Sequence, residues 1–169
     1  MKRSNRKSNL ICLYLNLTSD LCARYSGNMT RTPAKLDSIQ VIDFVMAGNA
    51  TFTLLSTATG KHYTYKVTKS KDAPRWFVKV LCGRDNENDY RYIGMIQNRT
   101  FLLTSGSELA PNCPSVISFR WFFLRLAKNN RAPEGLEVWH AGRCCRCGRT
   151  LTVPESIALG LGPECAKAA

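Results

Sequence analysis

Residues 51–96, TFTLLSTATGKHYTYKVTKSKDAPRWFVKVLCGRDNENDYRYIGMI, contain four segments in which β-branched and aromatic residues alternate with polar ones. The four segments cover residues 51–56, 62–68, 76–81 and 90–96, and a fifth short one follows at 100–103. A period of two is typical of strands with one buried face, and the polar stretches between the segments have the composition of turns. The pattern predicts an antiparallel β-meander with one face on a core and one face free.

Two helices are predicted beside this meander. Residues 36–47 have apolar residues at helical spacing, and Gly48 provides a C-terminal stop. Residues 112–130 repeat that spacing, with Asn112 or Ser115 as the N-cap and Pro114 in the first turn. Four residues of this second helix are expected to pack on the sheet: Val116, Phe119, Phe123 and Leu126. Its aromatic residues are therefore assigned to the core in preference to base stacking.

The sequence divides into three parts on this interpretation. Residues 1–35 have no sustained periodicity and are predicted to form a flexible basic arm, with Met29 as a candidate translation start. Residues 36–135 form an α+β domain, the antiparallel β-meander packed with two helices. Residues 136–169 form a small C-terminal zinc-knuckle module of treble-clef-like form.

The charge balance favours polyanionic partners. The 169 residues include 24 Lys and Arg against 12 Asp and Glu, a formal net charge of +12. Such an excess is typical of proteins that bind nucleic acid, although it also serves simply to keep a protein soluble. No apolar run approaches the roughly 18 residues of a membrane helix. Because four of the eight cysteines cluster at metal-ligand spacing and the others are scattered, a reducing, cytoplasmic compartment is expected.

Residues 139–165, WHAGRCCRCGRTLTVPESIALGLGPEC, have the ligand spacing of a metal site. Cys144 and Cys147 form a Cys-x-x-Cys pair followed by Gly148, a spacing that directs two thiolates at one ion. Cys165, at the start of a predicted helix, is the candidate third ligand. A cluster of free buried thiols is the alternative, and a redox dithiol is disfavoured because the surrounding strand–helix–strand unit is absent.

Two residues are candidates for the fourth ligand. Adjacent cysteines in one knuckle do not easily point at the same ion, so His140 is preferred to Cys145. The predicted set of His140, Cys144, Cys147 and Cys165 suits a single structural Zn2+ in a closed tetrahedral site.

Arginines alternate with these ligands and have two interpretations of equal weight. Arg143, Arg146 and Arg149 stabilise the negative charge of a zinc ion with three thiolates, or they contact phosphates. The predicted nucleic-acid contacts are these three together with Arg125, Lys128 and Arg131. Four tyrosines on the free face of the meander are possible stacking residues, although they are equally suited to the core: Tyr63, Tyr65, Tyr90 and Tyr92.

Residues 142–165, GRCCRCGRTLTVPESIALGLGPEC, resemble the C-terminal signature GRCGRCGRxLTxPxSIxxGxGPEC of a phage- and prophage-associated family, a domain of unknown function. The resemblance extends through AGNATFTLLSTATGKHYTYKV and DNENDYRYIG, and so over about residues 38–166. It implies zinc ligands at Cys144, Cys147 and Cys165, with His140 as the fourth. Cys145 stands where the family has Gly, which supports a non-ligand role. The family implies no activity.

No catalytic constellation accompanies the cysteines. His140 is followed by Ala-Gly, without the glutamate of the zinc deaminases, and no His-Glu-x-x-His or P-loop motif is present. We therefore predict a non-catalytic, zinc-binding, phage-type accessory protein that binds nucleic acid, DNA in preference to RNA, without a membrane or small-molecule partner. It would act in the host-cell cytoplasm if phage-encoded. The alternative is a protein–protein interaction module or inhibitor of a host factor, directed against a defence system or transcription, with a purely structural zinc.

Overall fold

A computed structural model describes residues 33–167, which form seven strands and four helices. The strands are β1 (Ala34–Lys35), β2 (Asn49–Ser56), β3 (His62–Lys69), β4 (Arg75–Leu81), β5 (Tyr90–Gln97), β6 (Thr100–Leu102) and β7 (Leu136–His140). The helices are α1 (Val41–Met46), α2 (Pro114–Asn129), α3 (Pro154–Leu159) and α4 (Pro163–Lys167). The predicted α+β class is confirmed. The predicted arm, except residues 33–35, and the candidate start Met29 lie outside the described residues.

All seven strands belong to one antiparallel sheet in the order β1-β7-β2-β3-β4-β5-β6. Strands β2 to β6 form the predicted meander, and their bounds differ from the predicted ones by at most two residues. Strand β7 pairs with the other edge of β2, and the register places His140 opposite Phe52. Strand β7 therefore places the first residues of the predicted C-terminal module inside the sheet.

Helix α2 covers one face of the sheet and forms the core with it. The ring centre of Phe119 lies 5.0 Å from that of Tyr65 on β3, and the ring centre of Phe122 lies 6.0 Å from that of Phe52 on β2. All four helix residues assigned to the core are buried. The apolar stripe of the helix thus matches the alternating apolar residues of β2, β3 and β4, as the two periodicities require.

Helix α1 begins later than predicted, whereas helix α2 begins at Pro114, the residue predicted for its first turn. Helix α1 has six residues because Leu36 donates its N–H to the carbonyl of Val138, continuing the β1–β7 pairing, and a turn closes from Asp37 to Gln40. Helix α2 has Cys113 as its N-cap, so the predicted Asn112 and Ser115 caps are wrong. The Cys113 sulfur lies 3.3 Å from the hydroxyl of Ser115 and makes no capping hydrogen bond to the helix backbone. Within residues 33–167, no helix has the length and apolar character needed to cross a membrane.

The second face of the sheet is covered by neither α1 nor α2, and we call it the open face. Strand register places Tyr90 and Tyr92 on it, opposite Leu81 and Lys79. Tyr65 instead faces the core, where it is fully buried and donates its hydroxyl hydrogen to the carbonyl of Ser115 at 2.7 Å. Only two of the four tyrosines considered for stacking therefore lie on the open face, because Tyr63 and Tyr65 share the opposite one.

Candidate metal centre

A tight turn after β7 forms the Cys-x-x-Cys knuckle. Cys144 donates its N–H to the carbonyl of Arg149 at 2.9 Å, and Gly148 donates to the carbonyl of Cys144 at the same distance. Arg143 and Thr150 form an antiparallel bridge on either side. Gly148 has φ +77°, a left-handed conformation that a residue with a Cβ rarely adopts. The turn therefore depends on this glycine to bring the two thiols to one side.

Helices α3 and α4 return the chain to the knuckle and deliver the third cysteine. Helix α3 ends at Gly160 in the left-handed conformation, which redirects the chain into α4 and Cys165. The N–H of Gly162, between the helices, points at the Cys144 sulfur at 3.5 Å. A backbone N–H near the sulfur favours the thiolate that metal binding requires.

The three sulfurs of Cys144, Cys147 and Cys165 lie within 4.8 Å of one another. Tetrahedral zinc with Zn–S bonds of about 2.3 Å needs sulfurs ~3.8 Å apart, so a small closure accommodates the ion. Cys144 is buried, Cys147 is exposed and Cys165 is half-buried. The cluster can hold a metal ion, and its thiolate chemistry suits zinc.

The protonation of the cluster is uneven. Burial opposes ionisation of Cys144, but N–H groups of Cys147, Gly162 and Arg146 donate to its sulfur and lower its pKa to about 7. A hydrogen bond with Cys147 is the first cause that raises the pKa of Cys165 to about 11. The hydrogen bonds to the Cys144 sulfur therefore favour its thiolate, the form that metal binding requires.

His140, the predicted fourth ligand, does not lie with the three sulfurs. Its imidazole is 2 % exposed, and its Nδ1 accepts the N–H of Gly142 at 3.2 Å. Its Nε2 lies 2.8 Å from the carbonyl of Ile157, which can only accept, so Nε2 carries the proton. A metal ligand needs a free lone pair on one ring nitrogen, and here both nitrogens are occupied. The imidazole joins β7 to α3, and burial lowers its pKa.

Cys145, the competing candidate, also lies apart from the cluster. It is part of the buried apolar core, and burial raises the pKa of its thiol to about 12. Its backbone donates to the carbonyl of Gly160 at 2.9 Å and accepts from the N–H of Asn49 at 2.7 Å. In the described part of the chain, no fourth His, Cys, Asp or Glu joins the three thiols, so the predicted closed set of four protein ligands is not formed in this structure.

The six predicted nucleic-acid contacts lie on two parts of the fold, and all six are exposed. In the knuckle, Arg146 donates to the carbonyl of Cys165 at 2.9 Å, and Arg143 lies 3.8 Å from Glu87. The other group is Arg125 and Lys128 on α2 with Arg131 beyond its end. Arg125 lies over the ring of Trp121 at 5.6 Å.

Comparison with known proteins identifies the C-terminal segment only. Residues 137–169, which are 33 of the 169 residues, match the model of a family of unknown function (DUF6011). The match includes β7 except its first residue, the knuckle and both short helices, and with them all three clustered cysteines. The upstream stretches of the predicted resemblance lie outside it. No curated protein and no solved structure matches the chain.

Proposed function

We propose that the protein is a non-catalytic zinc-binding protein that binds nucleic acid, DNA in preference to RNA, through its basic surface. The observation that carries this proposal is the placement of exposed arginines around the thiol cluster. Arg146 is fixed on the backbone of Cys165, while Arg143 and Arg149 lie exposed on the same turn. Cations that lie close together on one turn can contact neighbouring phosphates.

Zinc in this proposal has a structural role. One ion on Cys144, Cys147 and Cys165 would cross-link the knuckle to α4, two segments too short to be stable alone. Glu164, next to a ligand in sequence, accepts a hydrogen bond from Lys167 at 3.1 Å on the exposed side of α4. We take this ion pair as support for a structural rather than a catalytic ion. The resemblance to the phage family is the basis for inferring an accessory role in the host-cell cytoplasm.

A titration tests the nucleic-acid proposal. The zinc-loaded protein is mixed with single- and double-stranded DNA and RNA at about 50 and about 200 mM salt, and binding is followed by fluorescence anisotropy. We expect affinity to fall steeply with salt, and the Arg143→Gln, Arg149→Gln double variant to reduce that dependence. Lys61→Gln, Lys71→Gln removes the same charge from two exposed turns and is the matched control. Absence of binding at low salt, with zinc bound, refutes the proposal.

A specific observation also favours the alternative, a protein–protein interaction module. Helix α2 exposes Ile117, Trp121 and Leu124 by 52 %, 43 % and 66 %, and their spacing places them in one stripe. Ile117 and Trp121 border a groove of about 470 Å³, which Lys61 also lines. An exposed apolar stripe with basic neighbours and no acidic residue on its helix suits an acidic partner.

Substitutions on this stripe distinguish the two functions. Leu124→Gln removes apolar contact area from the most exposed residue of the stripe and leaves the knuckle unchanged. If the protein acts through α2, this variant should lose binding to a synthetic acidic amphipathic peptide and keep its DNA affinity. Equal peptide binding by the variant and the native chain excludes the stripe as a docking surface.

A further inference from the structure

The centre of the open face has a distinctive composition. Register places Lys66 on β3 directly opposite Lys79 on β4, and Lys79 directly opposite Tyr92 on β5. Phe77 and Arg75 lie on the same face further along β4, and Tyr90 precedes Tyr92 on that face of β5. We call these six residues the β3–β5 patch: Lys66, Arg75, Phe77, Lys79, Tyr90 and Tyr92. It contains three cations and three aromatic rings and no carboxylate.

The pair Lys66 and Lys79 is unfavourable for the isolated protein. Like charges directly opposite each other on adjacent strands repel and reduce sheet stability. The carboxylate that Lys79 influences is Glu108, whose pKa it helps to lower, but Glu108 is already paired with Arg91 at 3.0 Å. None of the ion pairs in residues 33–167 includes Lys66 or Lys79. An anion placed between these two ammonium groups would remove the repulsion.

The aromatic residues are interleaved with the cations. The rings of Phe77 and Tyr92 lie 6.2 Å apart, edge to face. The ammonium of Lys66 lies 5.8 Å from the centre of the Tyr90 ring, and the Arg75 guanidinium lies 5.7 Å from that of Phe77. Aromatic rings beside a track of positive charge bind unpaired bases by stacking, with little dependence on sequence. Paired bases stack on each other and do not offer their faces in this way.

We propose that the β3–β5 patch binds single-stranded DNA, with phosphates at Lys66 and Lys79 and bases stacked on Phe77 and Tyr92. This inference rests on the proposed nucleic-acid function and names its ligand and a second surface, apart from the knuckle arginines. A single strand is chosen over a duplex because stacking needs unpaired base faces. The choice of DNA follows from the proposed function, and RNA binding is an outcome of the test.

The lysine contribution is measured with fluorescein-labelled oligothymidylate of about 12 nucleotides and the zinc-loaded full chain. Each phosphate contact to a single strand contributes about 0.7 to the slope of log affinity against log salt. The Lys66→Gln, Lys79→Gln variant should therefore reduce the magnitude of that slope by about 1.4. Lys61→Gln, Lys71→Gln, with the same net charge, should change the slope by less than half as much. Lys79→Gln alone, at an exposed position, provides the test if the double variant fails to fold.

The stacking contribution is measured with two substitutions at one position. Tyr92→Leu keeps an apolar side chain and removes the ring, and it should weaken binding about tenfold. Tyr92→Phe keeps the ring and should retain affinity within about twofold. Unfolding midpoints in urea show whether both variants remain folded.

The outcomes separate this inference from the proposed function. If the native protein binds the oligonucleotide but the patch and control lysine variants behave alike, the patch is not the site, while nucleic-acid binding stands. If Tyr92→Phe loses as much affinity as Tyr92→Leu, the proposal that a base stacks on the Tyr92 ring is overturned. Tighter binding of oligouridylate than of oligothymidylate overturns the choice of DNA. If no nucleic acid binds at low salt, both proposals are refuted.

Discussion

Substitution of Gly160 by alanine tests how the metal-binding segment is attached to the core. Gly160 has φ +64°, and an alanine Cβ there would lie 2.5 Å from Cε2 and 2.6 Å from Cδ2 of Phe44. Phe44 cannot move easily because it is buried and its ring packs against Phe52 and His140. The left-handed backbone costs alanine about 1–2 kcal/mol, and overpacking adds about 1–3 kcal/mol. We expect a total loss of about 2–5 kcal/mol in the free energy of unfolding.

Gly60 provides a matched control. It has nearly the same backbone conformation, φ +67°, but a Cβ there would meet no atom within 4 Å. Gly60→Ala should therefore cost only the backbone part, about 1–2 kcal/mol. Urea unfolding of both variants at one metal concentration measures the difference, with zinc stoichiometry as a second readout. A difference below about 0.5 kcal/mol, the usual error of additivity, would refute the packing of Gly160 against Phe44.

Three further predictions concern the metal site and the sheet. Cys147→Ser should lose the single zinc ion in elemental analysis, whereas Cys145→Ser, whose thiol lies in the core, should retain it; zinc loss from Cys145→Ser alone would contradict the three-thiol set. His140→Gln should keep one zinc per chain and lower the unfolding midpoint, because the imidazole bonds to backbone groups on two elements; zinc loss without destabilisation would identify it as a ligand. Burial raises the pKa of Glu108, but the N–H of Tyr92 and the guanidinium of Arg91 lower it by more, so the pKa in the folded protein lies below that in the unfolded chain. The stability that Glu108 contributes is therefore present above the unfolded pKa and is lost as the pH falls through the folded pKa. The stability difference between the native chain and Glu108→Gln should therefore shrink between about pH 6 and about pH 3 in urea titrations, and a constant difference would exclude the linkage.

The meander could be predicted because its information is local. Alternation within residues 51–96 sets each strand and its buried face, and the polar turns set antiparallel neighbours. The three clustered cysteines could be predicted for a similar reason, because Cys-x-x-Cys followed by glycine restricts its own backbone. Neither pattern shows that β7 and β1 extend the sheet beyond β2. The β1–β7 and β2–β7 pairings join residues far apart in sequence, and the two residues of β1 are too few to show an alternating pattern.

The position of His140 shows what local spacing cannot supply. Its distance from Cys144 in sequence fits a ligand, but strand β7 fixes its direction through the register with β2. Because Val138 and His140 are two apart on one strand, they share the core face, where the imidazole meets Phe44 and the carbonyl of Ile157. The direction of the His140 side chain can therefore be known only when the pairing of β7 with β2 is known. The same register places Trp139 on the opposite, open face.

Charge around the knuckle limits how much phosphate binding that turn can provide. Three thiolates on one divalent cation leave a net charge of about −1, which attracts the same arginines that would contact DNA. Arg146 is engaged with the backbone of Cys165, and Arg143 lies near Glu87. Within residues 33–167, the side chain of Arg149 forms neither a hydrogen bond nor an ion pair. A salt dependence corresponding to more than about two phosphates would therefore require cations away from the knuckle, and the opposed lysines of the β3–β5 patch are placed to supply them.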